Sequence, residues 1–199
     1  MMVPIKNALI SVYRKEGIVE MGKVLTDSGV TIYSTGGTAR AFREADIPVT
    51  DVAEYTGNPE ILDGRVKTLD YKIHAGILMR PGVEEDEKMA EEQGIISIDL
   101  VVCNLYPFQE TVDSGASYED CVEKIDIGGP TMIRAGAKNH EYVAAVVNPE
   151  MYRGVASLVA SNGGLNRGLR QTLAEEAFKH TAEYDAQVAK FFEKQLREQ

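Results

Sequence analysis

A chain of 199 residues with a net charge of -10 can bury one core without a disulfide or metal staple, but it lacks the clustered Lys and Arg that hold a nucleic-acid groove. Its 44% hydrophobic and 26% charged residues are the usage of an ordinary folded protein, not of a disordered one. No apolar stretch approaches the ~20 residues of a membrane helix and no apolar signal core opens the sequence, so membrane partners are excluded and a cytoplasmic protein is expected.

The apolar run Ala8-Leu9-Ile10 predicts a buried strand over 7–13 that gives way to a polar loop at Arg14. Ile18, Met21, Gly22 and Leu25 recur at helical spacing, and Asp27-Ser28-Gly29 stops that helix before a second strand over 30–34. Gly36-Gly37 then turns the chain into a helix over 38–45, and a strand over 48–52 follows. Such a βαβ series predicts a parallel sheet covered on both faces. Gly57-Asn58-Pro59 and Asp63-Gly64 are turn signals, so 54–64 is predicted as a loop. Next come an exposed acidic helix over 84–93, a central strand over 98–103, a helix over 118–124 and the last strand over 142–147. Helices over 151–160 and 167–196 follow, with Asn166 as candidate N-cap of the second. In that helix Leu169, Leu173, Ala177, Tyr184, Val188 and Phe191 form a stripe suited either to this chain's own core or to a dimer contact.

The turn Ser34-Thr35-Gly36-Gly37-Thr38 has the parts of an anion site. Glycines let backbone N–H groups approach closely, a helix start adds a positive dipole end, and Thr35 and Thr38 offer hydroxyls. It is neither a Walker loop nor a dinucleotide fingerprint, and an ordinary tight turn with Thr38 as helix cap is the competing reading. A second polar loop, Ser11-Val12-Tyr13-Arg14-Lys15, ends the first strand and would stand beside the glycine turn in a parallel sheet. Arg65-Val66-Lys67-Thr68 brings two cations and a hydroxyl into a loop-like region, where a solvated basic patch is the alternative. Asp126-Ile127-Gly128-Gly129-Pro130 sets a carboxylate before a flexible turn and a helix start, with Arg134 and Lys138 on one face. A capped helix with solvent-facing charges would look the same. Cys103 and Cys121 read as buried thiols, and His74, His140 and His180, without metal spacing, as structural or surface residues.

Six motifs in order, Ala8-Leu9-Ile10-Ser11-Val12, Ser34-Thr35-Gly36-Gly37-Thr38-Ala39, Asp63-Gly64-Arg65-Val66-Lys67-Thr68-Leu69, Asn104-Leu105-Tyr106-Pro107-Phe108, Ile125-Asp126-Ile127-Gly128-Gly129-Pro130 and Ala137-Lys138-Asn139-His140, carry a family resemblance. From about Ala8 to Pro149 the chain resembles the inosine monophosphate (IMP) cyclohydrolase domain of the bifunctional purine-biosynthesis enzyme whose other half is a formyltransferase. The resemblance implies a methylglyoxal-synthase-like three-layer α/β/α sandwich with a mostly parallel sheet, usually a homodimer. The implied reaction is closure of 5-formamidoimidazole-4-carboxamide ribonucleotide to IMP and water. It further implies that Ser11, Lys15, Thr35, Gly36, Gly37 and Thr38 meet the 5'-phosphate, and that Arg65, Thr68, Asn104, Gly128 and Gly129 also contact substrate. Lys67, Tyr106, Asp126 and Lys138 are the implied catalytic set. No metal and no cofactor is expected, because the closure is intramolecular and redox-neutral.

The family usually continues Ser-Asp-Lys-Thr-Gly after Ser-Val, where this chain has Tyr13-Arg14-Lys15-Glu16-Gly17, and His-Pro after Lys-Thr-Leu, where it has Asp70-Tyr71. A single domain over 1–199 is expected, with a core over about 7–149 and a C-terminal helical segment over about 150–199. Formyl transfer is expected from a separate protein or a missing domain. Two further readings would use the same fold, a methylglyoxal synthase acting on a triose phosphate and a non-catalytic nucleotide-sensing domain. Lys67, Tyr106, Asp126 and Lys138 favour the cyclohydrolase, since a sensor needs the phosphate turn but no convergent acid-base groups.

Overall fold

The computed structural model describes residues 2–197. Strands β1 (Met2–Pro4) and β2 (Asn7–Val12) lead into α1 (Ile18–Asp27), β3 (Thr31–Ser34), α2 (Gly36–Glu44), β4 (Thr50–Asp51) and α3 (Val52–Thr56). A 3-10 turn at Leu62–Gly64 precedes α4 (Tyr71–Leu78), α5 (Glu84–Gln93), β5 (Leu100–Asn104), α6 (Phe108–Asp113), α7 (Tyr118–Glu123), α8 (Gly128–Lys138) and β6 (Ala144–Val146). After a second 3-10 turn at Pro149–Met151 come α9 (Tyr152–Asn162), β7 (Gly164–Asn166) and α10 (Arg167–Arg197).

Five strands pair in parallel in the order β4-β3-β2-β5-β6, the parallel sheet that the βαβ pattern predicts. Side chains alternate across it as the pleat requires. Ala8, Ile10 and Val12 of β2 join Leu100 and Val102 of β5 in a core covered by α1, α2 and α9, through residues such as Met21, Phe42 and Val155. Leu9, Val101 and Cys103 face the opposite way, onto Ile73 and Ile77 of α4, Met132 and Ile133 of α8 and Ala177 and Tyr184 of α10. The result is a three-layer α/β/α sandwich. Burying both sheet faces is what makes the strand sequences almost continuously apolar.

Several elements depart from the sequence expectation. The segment 54–64 is not all loop: α3 begins at Val52 because the Asp51 carboxylate accepts the Ala53 N–H at 3.0 Å, and left-handed Gly57 (φ 77°) ends it. The strand expected over 48–52 shrinks to two residues. Helix α4 was not anticipated; Asp70 caps it by accepting the Lys72 N–H at 2.8 Å, and Ile73 and Ile77 bury its inner face. The strand over 142–147 is not the last, because β7 follows and pairs antiparallel with β1. The stripe on α10 is packed into this chain's own core, with Leu173, Ala177, Tyr184 and Phe191 buried. Asn166 does cap that helix, accepting the Leu169 N–H at 2.9 Å. Among the described residues no helix is long and apolar enough to cross a membrane.

Candidate functional site

The carboxyl ends of β3, β2 and β5 open into one cavity of about 750 Å³. This is the switch point of the sheet, where the chain passes from building outward through β3 and β4 to building on the other side through β5 and β6. Ligands of open α/β sheets sit in such crevices because neighbouring loops diverge there.

At the β3 end, Thr35 occupies the N-cap position of α2 and Gly36 takes φ 51°, a left-handed backbone that a Cβ would strain. Helix α2 therefore starts two residues earlier than expected, at the glycines themselves, so its free N–H groups face the cavity. Thr38 is not the cap. Its buried hydroxyl accepts the Val12 N–H at 3.1 Å and donates to the Val12 carbonyl at 3.0 Å, tying the glycine turn to the end of β2. Two ammonium groups flank the turn. Lys15 lies about where a Cβ on Gly37 would touch it, 3.6 Å from Nζ, and Lys67 Nζ stands 3.7 Å from the Cβ position of Gly36. Lys67 also pairs with Glu60 at 2.9 Å, and Arg65 pairs with Glu123.

At the β5 end, Asn104 spends its whole hydrogen-bonding capacity inside the protein. Its Oδ1 accepts the Tyr13 N–H at 2.8 Å and the Arg14 N–H at 2.9 Å, and its Nδ2 donates to the Arg14 carbonyl and the Tyr152 hydroxyl, each at 3.0 Å. Asn104 thus lines the cavity as a clamp on the 13–14 loop. Its partner Tyr152 is buried, and that burial pushes the phenol up to about 12, against the lowering effect of the Asn104 bond.

The third wall is the start of α8. Asp126 Oδ1 accepts the Gly129 N–H at 2.8 Å, and the Tyr106 backbone also bonds this carboxyl. The Asp126 N–H is held by the Tyr184 hydroxyl at 2.7 Å, so α10 braces the loop from behind. Burial raises the Asp126 pKa, and the two backbone bonds oppose that rise without cancelling it. Beside it, burial first and the Asp126 charge second raise the Cys103 thiol, which leaves it an unreactive neutral group. Gly129 is favoured by close approach, since a Cβ there would stand 2.5 Å from Asp126 Oδ2 and 2.6 Å from Leu105 Cδ2 and would have to displace them. Thr68 Oγ1 lies 2.9 Å from the Cβ position of Gly128, which brings the Lys67-Thr68 loop onto the same helix start.

Ser11, Lys15, Thr35, Gly36, Gly37 and Thr38 all line the cavity, and so do Arg65, Lys67, Thr68, Asn104, Tyr106 and Asp126 with Gly128 and Gly129. Lys138 does not. It is exposed at the far end of α8, ten residues from Gly128, which at about 1.5 Å per residue puts it roughly 15 Å along the helix from the cavity. Its neighbour on that face, Arg134, lies 5.5 Å from the Phe178 ring. Sequence reading missed the supports Tyr152, Tyr184 and Glu60, whose partners are distant in sequence or on loops without a pattern. Both cysteines are free and buried, as expected. The His74 ring is bonded to the Thr68 backbone, a structural role. Among the described residues there is no group of three metal-ligating side chains.

Comparison with known proteins agrees with this geometry. Residues 17–131 match the family described as the MGS-like domain, and residues 136–199 match the family described as the AICARFT/IMPCHase bienzyme. The bifunctional purine biosynthesis protein PurH of Mycobacterium marinum is 53% identical over 190 residues, covering 96% of this chain and 36% of that protein. PurH of Rhodospirillum rubrum is 52% identical over 196 residues, 98% of this chain and 37% of its own length. The chain therefore spans little more than a third of these curated relatives. The crystal structure of ForH superposes with a TM-score of 0.83 at 36% identity, covering 94% of this chain and 99% of the ForH chain.

Proposed function

From the premise that this chain belongs to the MGS-like domain family, we propose that it serves purine biosynthesis as an IMP cyclohydrolase, closing 5-formamidoimidazole-4-carboxamide ribonucleotide to IMP with loss of water. The observation that carries the reading is the pairing, in one cavity, of a cation-flanked glycine turn with a half-buried carboxyl at Asp126 whose pKa desolvation raises. The first suits a phosphate handle. The second suits a proton acceptor poised for an amide nitrogen, whose delocalised lone pair makes it a weak nucleophile.

In this reading the carboxamide nitrogen attacks the formyl carbon, and Asp126 takes the proton that the nitrogen loses. The formyl oxygen gains a proton from Tyr106 while Lys67 and the Gly128 N–H at the start of α8 stabilise its developing charge. The carbinolamine then loses that hydroxyl with the proton of the former formamido nitrogen, giving water and the new C=N bond. Positioning supplies much of the rate, since both reacting groups belong to one bound molecule. Lys138 does not line this cavity and is assigned no step. Cyclisation alone is proposed for this sandwich, and formyl transfer is not.

Incubating the protein with the formamido nucleotide and following hypoxanthine absorbance tests the proposal. A rate far above spontaneous closure is expected. Tight nucleotide binding with no acceleration would identify a sensor instead, and phosphate release from dihydroxyacetone phosphate would identify a synthase.

A further inference from the structure

Tyr13 follows β2 directly, and its side chain is among the exposed aromatics of the cavity wall. Tyr13 is 46% exposed and Tyr106 is 45% exposed. Their rings meet at a centroid distance of 4.8 Å, tilted by 48°, and both line the cavity. The pair is fixed from behind. The Tyr13 N–H is held by Asn104, the Tyr106 backbone is bonded to the Asp126 carboxyl, and the Lys124 ammonium sits 5.9 Å from the Tyr106 ring centroid. The outer faces of this preorganised aromatic pair remain open to a polar cavity, apolar area that the fold leaves wet.

We infer that Tyr13 is a binding residue whose ring, braced on Tyr106, forms the wall against which the flat heteroaromatic part of a ligand packs. The proposal rests on reading the cavity as a nucleotide site and adds which residue recognises the base. Sheet geometry supports the placement. Neighbouring strands lie about 4.8 Å apart, so the β3 end with its glycine turn, the β2 end with Tyr13 and the β5 end with Tyr106 span about 10 Å, the reach of a nucleoside monophosphate from phosphate to base. A phosphate on the turn brings the ring system over Tyr13 and leaves its far edge toward Asp126.

Calorimetric titration of the wild type, Tyr13→Ala and Tyr13→Phe with IMP and with ribose 5-phosphate tests the inference. Stacking of a base on an aromatic side chain corresponds to roughly 5- to 150-fold in affinity. Tyr13→Ala should weaken IMP by a factor in that range while leaving ribose 5-phosphate within about twofold, and Tyr13→Phe should retain IMP. Equal weakening of both ligands by Tyr13→Ala would reduce Tyr13 to a loop support and overturn the inference, as would unchanged IMP binding. If the wild type bound ribose 5-phosphate but gained nothing from the base, the nucleotide reading itself would fall with it.

Discussion

Asn104 provides the sharpest separation between a residue that touches ligand and one that shapes the site. Asn104→Ala removes the acceptor of two backbone N–H groups, from Tyr13 at 2.8 Å and Arg14 at 2.9 Å, and the donor to the Arg14 carbonyl and the Tyr152 hydroxyl. A buried polar group left unpaired costs roughly 1–3 kcal/mol. The Tyr152 phenol keeps its own O–H, and the half-exposed loop can turn one N–H to water, so the expected loss is about 2–4 kcal/mol and not the full sum. For a chain of this size about 1 kcal/mol moves the melting temperature by roughly 2–4 °C, so a fall of about 4–16 °C is expected. Urea unfolding followed by circular dichroism gives the free energy, and scanning calorimetry gives the shift. Asn104→Asp sharpens the test, because it keeps the acceptors but places a carboxylate at a site only 7% exposed and opposite the Arg14 carbonyl. It should be unstable at neutral pH and recover on acidification. Unchanged stability of Asn104→Ala with loss of nucleotide affinity alone would show that the amide contacts ligand directly and would refute the clamp.

Asp126→Asn should separate stability from turnover. Burial raises the folded pKa above the unfolded value, so the ionised carboxylate costs the fold, and wild-type stability declines as pH rises from the ordinary carboxylate range through the raised value. The variant should be at least as stable as wild type at neutral pH, lose that advantage in acid, and turn over about 10²- to 10⁴-fold more slowly; urea titrations at both pH values would contradict this if the variant were weaker at neutral pH. Gly129→Ala would set a methyl 2.5 Å from Asp126 Oδ2 and 2.6 Å from Leu105, so about 1–3 kcal/mol of overpacking and a displaced carboxyl should lower kcat more than affinity for ribose 5-phosphate. A variant with wild-type kcat would show that Asp126 has room to move. Arg170 is fully buried and donates to the carbonyls of His140, Glu141 and Leu165. Arg170→Met leaves three acceptors unpaired, and a loss of about 3 kcal/mol or more in urea unfolding is expected, whereas a loss under 1 kcal/mol would mean that water replaces the guanidinium.

The sheet was legible because β2, β3 and β5 are apolar runs interrupted by turns, and the glycine turn because Gly36 must supply a positive φ that the sequence announces. The sequence does carry signals for α3. Asp51 followed three residues later by Glu54 has the spacing of a capping pattern, and Gly57 stops the helix. Strand β7 could not be read, since three residues carry no period and its partner β1 lies more than 150 positions away. Arg170 was invisible for a related reason, because its acceptors are backbone carbonyls that only the fold assembles. The cavity residues were placed by resemblance and are brought together with one exception. Lys138 shares a motif neighbourhood with them in sequence, but helical rise carries it to the other end of α8.

How a protein of net charge -10 can hold an anion follows from where its positive potential comes from. Two of the side-chain cations at the rim are matched by carboxylates, Lys67 by Glu60 and Arg65 by Glu123. The helix starts add to them. Helices α2 and α8 both begin at cavity-lining glycines, and the partial positive charge of a helix start acts within its first turn, where distant acidic residues are screened. One helix start serves the phosphate turn. The other faces Asp126, whose carboxyl takes the Gly129 N–H for itself and so sits inside a field that favours its charge, while burial disfavours it. In the proposed reading a helix start at a glycine thus anchors one end of the ligand, and a second one acts on the protonation of the group at the other end. Strand order then fixes the distance between the two ends.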